Sequence, residues 1–358
     1  MSVFNAQNKG FESSKYPLFL GEDLGLFDTV NIAYPELEDL YQKQVSQIWN
    51  ENEVSLTQDK QDMMNAPKDV VDLMVKTVSW QFLGDSVASK SIAGLLMRYV
   101  TNPELEGLIN AWSFFETIHA RTYSHIVKQT VVNPNQVLRD TYNNMDILKR
   151  SQAIVKAFDQ LEALPVDATI EEKRKAIALA FAALFALEAI AFMSSFAVTF
   201  AIAETGIFQG IGSLVTLIAR DEVLHTRMDY AILNILKQSP EWVNTFKELA
   251  PDIKSVLDAI TNQELSNADY LFSEGRQVIG LTSGLLKEYT LYMARPLYVA
   301  LGIPFDFEVI EKNPCSYMDK YIDSSKMQVA PQEIQITSYK IGSVKDDTDN
   351  LDFDDFEL

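Results

Sequence analysis

Apolar residues recur along most of this chain at the three- and four-residue spacing of helices that bury one face. The pattern predicts helices near 33–50, 67–100, 103–131, 145–161, 169–204, 210–237, 252–275 and 281–301. Breaks fall at Asn102-Pro103, Leu164-Pro165, Gly206 to Gly212 and Ser239-Pro240, residue types that end or restart helices. No strand-like alternation is extended enough to build a sheet, so the expected fold class is all-α. The links between 67–100 and 103–131, and between 169–204 and 210–237, are short, which makes each pair antiparallel neighbours.

One stretch is apolar on every face. Ala176 to Ala203 is long enough to cross a bilayer. Glu188 near its middle, Ser194 and Ser195, the lack of a second such segment and the lack of a positively charged flank make it instead the central helix of a bundle. An ionised carboxylate among such neighbours is costly unless it is paired or bound to a cation. Glu188 is therefore a candidate ligand, and Asp85 breaks the apolar pattern of 67–100 in the same way.

The chain has three histidines, and two of them close the same pattern, Glu116-x-x-His119 and Glu222-x-x-His225. A carboxylate and an imidazole three apart project from one helix face and can grip one metal ion from the same side. Two such pairs, with one carboxylate from each of two further helices, form the inward-facing ligand set of di-iron and di-manganese bundles. Asp85, Glu116, Glu188 and Glu222 together carry four negative charges, which two divalent ions cancel. Oxygen and imidazole ligands accept iron and manganese alike.

Tyr123 lies one turn after His119, Phe192 and Phe196 one and two turns after Glu188, and Ile218 one turn before Glu222. Their common phase predicts a dry, apolar pocket around a phenol beside the metals. His125 falls on another face, and Trp80 and Trp112 read as core residues out of phase with the nearest ligands.

At 358 residues and 47% hydrophobic the chain can bury a large core, and a net charge of -20 argues against nucleic-acid binding by bulk electrostatics. The single cysteine, Cys315, rules out an intrachain disulfide framework. The opening residues lack a charged-then-apolar signal region, so a cytoplasmic protein with no membrane anchor is expected. Helical periodicity ends after Met327. The stretch from Lys345 to Leu358 mixes many acids with Leu351, Phe353, Phe356 and Leu358, anchors suited to a segment that folds on binding. The expected organisation is a helical domain over 1–325 and a flexible acidic tail over 326–358.

Five blocks resemble the small, radical-generating subunit of class I ribonucleotide reductase: Trp49 within 47–54, Phe115 to His125, Leu187 to Ile190, Ile218 to His225, and Val329 to Glu333 running on to Ser338-Tyr339. The resemblance implies a ferritin-like helical bundle with additional helices and a flexible C-terminal tail. It implies that Asp85, Glu116 and His119 chiefly hold one metal and Glu188, Glu222 and His225 the other, with some carboxylates bridging. Tyr123 would carry a stable radical sheltered by Phe192, Phe196 and Ile218, and Asp221 would hydrogen-bond His119 and link it to Trp49. The oxidising equivalent would pass through Trp49 and the tail residue Tyr339, assisted by Glu333, to a cysteine of a large subunit that reduces ribonucleoside diphosphates. Reduction of the ribose needs several thiols, so a chain with one cysteine is not the whole enzyme. The implied partners are the large subunit, reached through the tail, and a second copy in a homodimer; a flavoprotein activase is a further candidate. In some members the oxidising equivalent stays on the metals. The bundle alone would also suit a stand-alone di-iron oxidase or oxygenase, or a ferritin-type iron-storage protein. The length, Asp85, the placement of Tyr123 and the tail speak against storage.

Overall fold

Asn102 accepts a hydrogen bond from the Leu105 N–H, and Pro103 occupies the first turn, so a helix starts where the sequence places its break. The computed structural model describes residues 16–22 and 25–322, together with Asn5, Gln7 and Asn8. The tail 326–358, with Glu333 and Tyr339, lies outside the described residues.

Among the described residues the named elements are all helical, in agreement with the all-α expectation. They are α1 (Pro35–Val45), α2 (Thr57–Asn65), α3 (Lys68–Ser91), α4 (Pro103–Thr130), α5 (Pro134–Asn143), α6 (Met145–Glu162), α7 (Ile170–Ala186), α8 (Met193–Glu204), α9 (Gln209–Gln238), α10 (Pro240–Leu271), α11 (Ser283–Leu301) and α12 (Asp319–Ile322). Among the described residues extended pairing is limited to isolated bridges, Phe19 with Val100 and Val278 with Leu281.

The core is a ring of four helices in which α3 packs on α4, α4 on α9, α9 on α8, and α8 on α3. Within the apolar stretch Ile170–Glu204, residues 176–203 are buried almost throughout, as befits a central core helix. It is not one regular helix. Leu187–Phe192 forms a π-helical turn between α7 and α8, and a second, Ile92–Leu96, follows α3. A π-turn widens the helix locally and re-aims its side chains, and such turns gather at functional sites. Glu188 sits on the first of them.

Three features depart from the predicted helices. Helices α2 and α5 lie outside the predicted ranges, and α2 is polar on most faces. Its Asp59 and Asp62 accept the backbone N–H groups of Ile211 and Phe208 at 2.8 and 2.9 Å, and so cap the start of α9 from another part of the chain. That start is tight: Phe208 is left-handed at φ 57°, and a Cβ at Gly212 would lie 2.8 Å from Ala203 Cβ, so only glycine lets α9 approach α8 there. Third, α10 begins at Pro240 rather than near 252, and Pro251 lies inside it without ending it. A proline there loses one hydrogen bond, but the buried row Leu249, Ile253, Leu257 and Ile260 runs on through that point and holds the helix against its neighbours.

Candidate metal centre

Glu116 and His119 on α4 meet Glu222 and His225 on α9, fully buried, with one ligand atom of each within 4.8 Å of the others. His119 Nδ1 lies 3.1 Å from Glu222 Oε1 and 3.8 Å from Glu116 Oε2. His225 Nδ1 lies 2.9 Å from Glu116 Oε1 and 3.2 Å from Glu222 Oε2. Each of the two glutamates thus reaches both imidazoles. Asp85 of α3 joins the group, its Oδ1 3.3 Å from His119 Nδ1. Glu188 is equally buried but stands apart from the four, with its carboxyl turned to that of Asp229.

Many of these atoms have no hydrogen-bond partner. Both oxygens of Asp85 and of Glu188, Glu116 Oε2, Glu222 Oε1, His119 Nδ1 and His225 Nε2 are all buried without a hydrogen-bond partner in the protein. A buried polar atom left unpaired costs about 1–3 kcal/mol, and a shared cation removes that cost for several atoms at once. Carboxylate oxygens and imidazole nitrogens are the donor set that first-row divalent ions accept. The residues therefore fit a metal centre.

The electrostatics agree. Burial pushes the carboxyls of Asp85 and Glu188 far above their usual range; His119 counteracts this at Asp85, whereas Asp229 adds to it at Glu188. Burial would depress both imidazoliums, but Asp221, Asp85 and Glu222 outweigh it at His119, and Glu116 and Glu222 lift His225 to about 9. Glu222 shows the converse: burial raises it, and its contacts with both histidines hold it at about 2. Negative charge is in excess throughout, which is what a cation corrects.

On the far side of His119, Nε2 lies 3.1 Å from Asp221 Oδ2, and the same oxygen accepts the Trp49 indole N–H at 2.7 Å. Arg220 donates to the Gln47 carbonyl at 2.7 Å and so anchors the Trp49 segment to α9. Asp221 is not the surface acid its position would suggest without the resemblance; it is fully buried. Tyr123 is fully buried and its hydroxyl is unpartnered. Burial, then Asp85, Glu222 and Glu116, push its phenol far above the usual value, so it is protonated at neutral pH.

Phe192, Phe196 and Ile218 are fully buried. The two phenylalanine rings stack at 5.9 Å, and Phe192 also packs edge-on against Trp80 at 5.5 Å. A Cβ at Gly84, beside Asp85, would lie 2.8 Å from Phe192 Cε1. The Gly84→Ala protein is therefore expected to unfold at lower temperature despite alanine's better helix propensity. Forcing the ring aside costs about 1–3 kcal/mol, against about 1 kcal/mol gained from propensity. Thermal unfolding checks this, and an unchanged or raised midpoint would refute the close packing.

Two residues differ from the sequence reading. Trp112 is not out of phase: it precedes Glu116 by one turn, donates its indole N–H to Glu116 Oε1 at 3.2 Å, and packs 5.3 Å from the His225 ring. Trp80 keeps its core role, with its N–H on Ser151 Oγ at 3.2 Å, and His125 is only partly buried. Asp229 is absent from the residues that the sequence pattern picks out. It lies one turn beyond His225 among Met228, Ala231 and Ile232, and that spacing could have revealed it.

The sequence profile described as "Ribonucleotide reductase, small chain" matches residues 26–314. The chain is 34% identical over 373 residues to the ribonucleoside-diphosphate reductase subunit beta of Haemophilus influenzae, covering 99% of this chain and 98% of the relative. It is 31% identical over 364 residues to ribonucleoside-diphosphate reductase 1 subunit beta of Escherichia coli O157:H7, covering 96% of each. Among solved structures, the ribonucleotide reductase R2 subunit from Clostridium botulinum superposes with a TM-score of 0.78 at 22% identity, over 90% of this chain and 98% of that one. The Streptococcus sanguinis dimanganese(II) protein NrdF superposes at 0.67 and 19%, over 85% and 100%. At those identities the two structures attest the fold, and the bundle is of the ferritin-like R2 type. The full-length relatives and the buried Glu/His cluster lead to one conclusion: this chain belongs to the ribonucleotide reductase small-chain family, the beta subunits of an oxidoreductase that works with a large alpha subunit.

Proposed function

We propose that this beta subunit generates and stores the oxidising equivalent for ribonucleotide reduction at a pair of metal ions, iron or manganese. Asp85, Glu116 and His119 would hold one ion and Glu188, Glu222 and His225 the other, and Glu116 and Glu222 each reach both imidazoles. When bound, the pair supplies the activation of an oxygen species. The observation that carries this reading is the hydrogen-bonded run Trp49–Asp221–His119, which ends on a cluster of orphaned ligand atoms.

Tyr123 enters oxidation as a neutral phenol, so a neutral phenoxyl radical forms only if an electron and the hydroxyl proton both leave. The electron goes to the oxidant. The proton would leave toward the carboxylates of the metal centre, of which Asp85 acts most strongly on the phenol. Phe192, Phe196 and Ile218 would exclude water and reductants from the radical. At the other end, Asp221 Oδ2 is placed to hold the Trp49 Nε1 proton when the indole is oxidised. The route would continue through Tyr339 and Glu333 of the tail 326–358 to a cysteine of the large subunit. Cys315 of this chain is buried, and burial raises its thiol to about 11, which suits no thiol chemistry here. The same reading includes a cytoplasmic homodimer, docking through the tail, and a flavoprotein activase as a candidate source of the oxidant.

The test titrates metal-free protein with ferrous or manganous ions, adds oxidant, and measures reduction of a ribonucleoside diphosphate with and without the large subunit. Two ions per chain and turnover only with the partner are expected. Turnover of another substrate without the partner would establish a stand-alone oxidase, and uptake of many ions per chain would establish storage.

A further inference from the structure

Asp229 lies on α9 four residues beyond His225 and seven beyond Glu222, so it shares the helix face that presents both. Its side chain has no exposure, and neither carboxyl oxygen has a hydrogen-bond donor. The group facing it is the carboxyl of Glu188, itself fully buried and with both oxygens unpartnered. Two acids therefore confront each other in the buried core. The buried guanidinium of Arg150 enters the same region through the Ala191 carbonyl, but its charge is committed to Glu264. Buried like charges that face each other repel strongly unless a proton or a cation lies between them.

We propose that Asp229 is a fifth carboxylate of the metal centre, binding the ion on the Glu188 side together with Glu188. This rests on the metal-centre reading given above. The oxygens of both acids are free to ligate, Glu188 is held on a π-turn that aims it at α9, and Asp229 is on α9. The chemistry favours a hard, highly charged ion. Five ionised carboxylates against two divalent ions leave one negative charge over. The centre is thereby matched to a pair in which one ion is oxidised above the divalent state.

The experiment follows manganous ion binding to the metal-free full-length protein by the loss of the free-ion paramagnetic resonance signal, in wild type, Asp229→Asn and Asp229→Ser. The asparagine variant keeps the shape and removes the charge; the serine variant removes both. Wild type is expected to bind two ions. Both variants are expected to lose affinity for one ion by roughly 10- to 100-fold, the range for disturbed metal environments, with the other ion unaffected and the bound-manganese line shape altered. Thermal melting of the metal-free proteins controls for folding, and the variants are expected to melt no lower than wild type, since an unpaired buried acid has been removed. Manganese affinities unchanged in both variants would overturn the proposal and leave Asp229 as a buried acid sharing a proton with Glu188. Failure of wild type itself to bind manganese would instead overturn the metal-centre reading and the proposal with it.

Discussion

Replacing Tyr123 by phenylalanine is expected to remove the organic-radical resonance of metal-loaded, oxidant-treated protein while leaving its metal content unchanged. Phenylalanine has no O–H, so it cannot release an electron and a proton together to give a neutral radical. Turnover with the large subunit is expected to fall by about three orders of magnitude or more, the loss of at least ~4 kcal/mol of barrier lowering. Folding does not confound the result. The Tyr123 hydroxyl is buried without a partner, so its removal relieves a desolvated group and is expected to hold or raise the melting temperature. Electron paramagnetic resonance beside a metal assay decides the matter. A metal-centred signal and full turnover in the variant would move the oxidising equivalent from Tyr123 onto the metals.

Arg150→Met is expected to destabilise the protein by about 3–5 kcal/mol, the usual consequence of leaving one partner of a buried ion pair uncompensated. Arg150 Nε and Nη2 each donate to a Glu264 carboxyl oxygen at 2.6 Å, and the guanidinium lies 3.4 Å from the centre of the Trp80 ring. Nη2 also donates to the Ala191 carbonyl at 3.1 Å, inside the π-turn that carries Glu188, so the pair braces the metal centre from behind. Glu264 is almost fully buried, and burial raises its carboxyl above its usual value although Arg150 opposes this. The sign of the pH dependence follows. A carboxyl whose folded pKa is raised penalises folding above that value, and the penalty fades as pH falls through it toward 4.5, the unfolded value. The deficit of the variant should therefore be larger at neutral pH than near pH about 5. Urea unfolding at the two pH values measures both. A loss under about 1 kcal/mol at neutral pH would show that the pair is not a brace, and Glu264→Gln added to Arg150→Met is expected to recover part of the loss.

Much of the site was legible because it is local. Residues three apart on a helix share a face whatever surrounds them, so Glu116 with His119 and Glu222 with His225 could be paired from spacing alone. The same rule, applied to Trp112 and Glu116 or to His225 and Asp229, would have brought in two more members of the site. Glu188 was conspicuous because every neighbour is apolar. Asp221 was not, since nothing local separates a buried acid that holds an indole from one facing water; the resemblance alone pointed to it.

The sequence by itself determined the helical class, the breaks at Asn102-Pro103 and Ser239-Pro240, and the two ligand pairs, because periodicity, capping and side-chain phase are short-range properties. Tertiary structure decided what depends on distant partners. Helix α2 has no apolar stripe to predict it, and its acids cap α9 across the fold. Pro251 is tolerated because packing continues through it, and the π-turn at Glu188 carries no local signature. Only the folded ring of helices brings Asp85, Glu116, His119, Glu222 and His225 together and sets Glu188 against Asp229. Burial removes the water that would otherwise screen those charges.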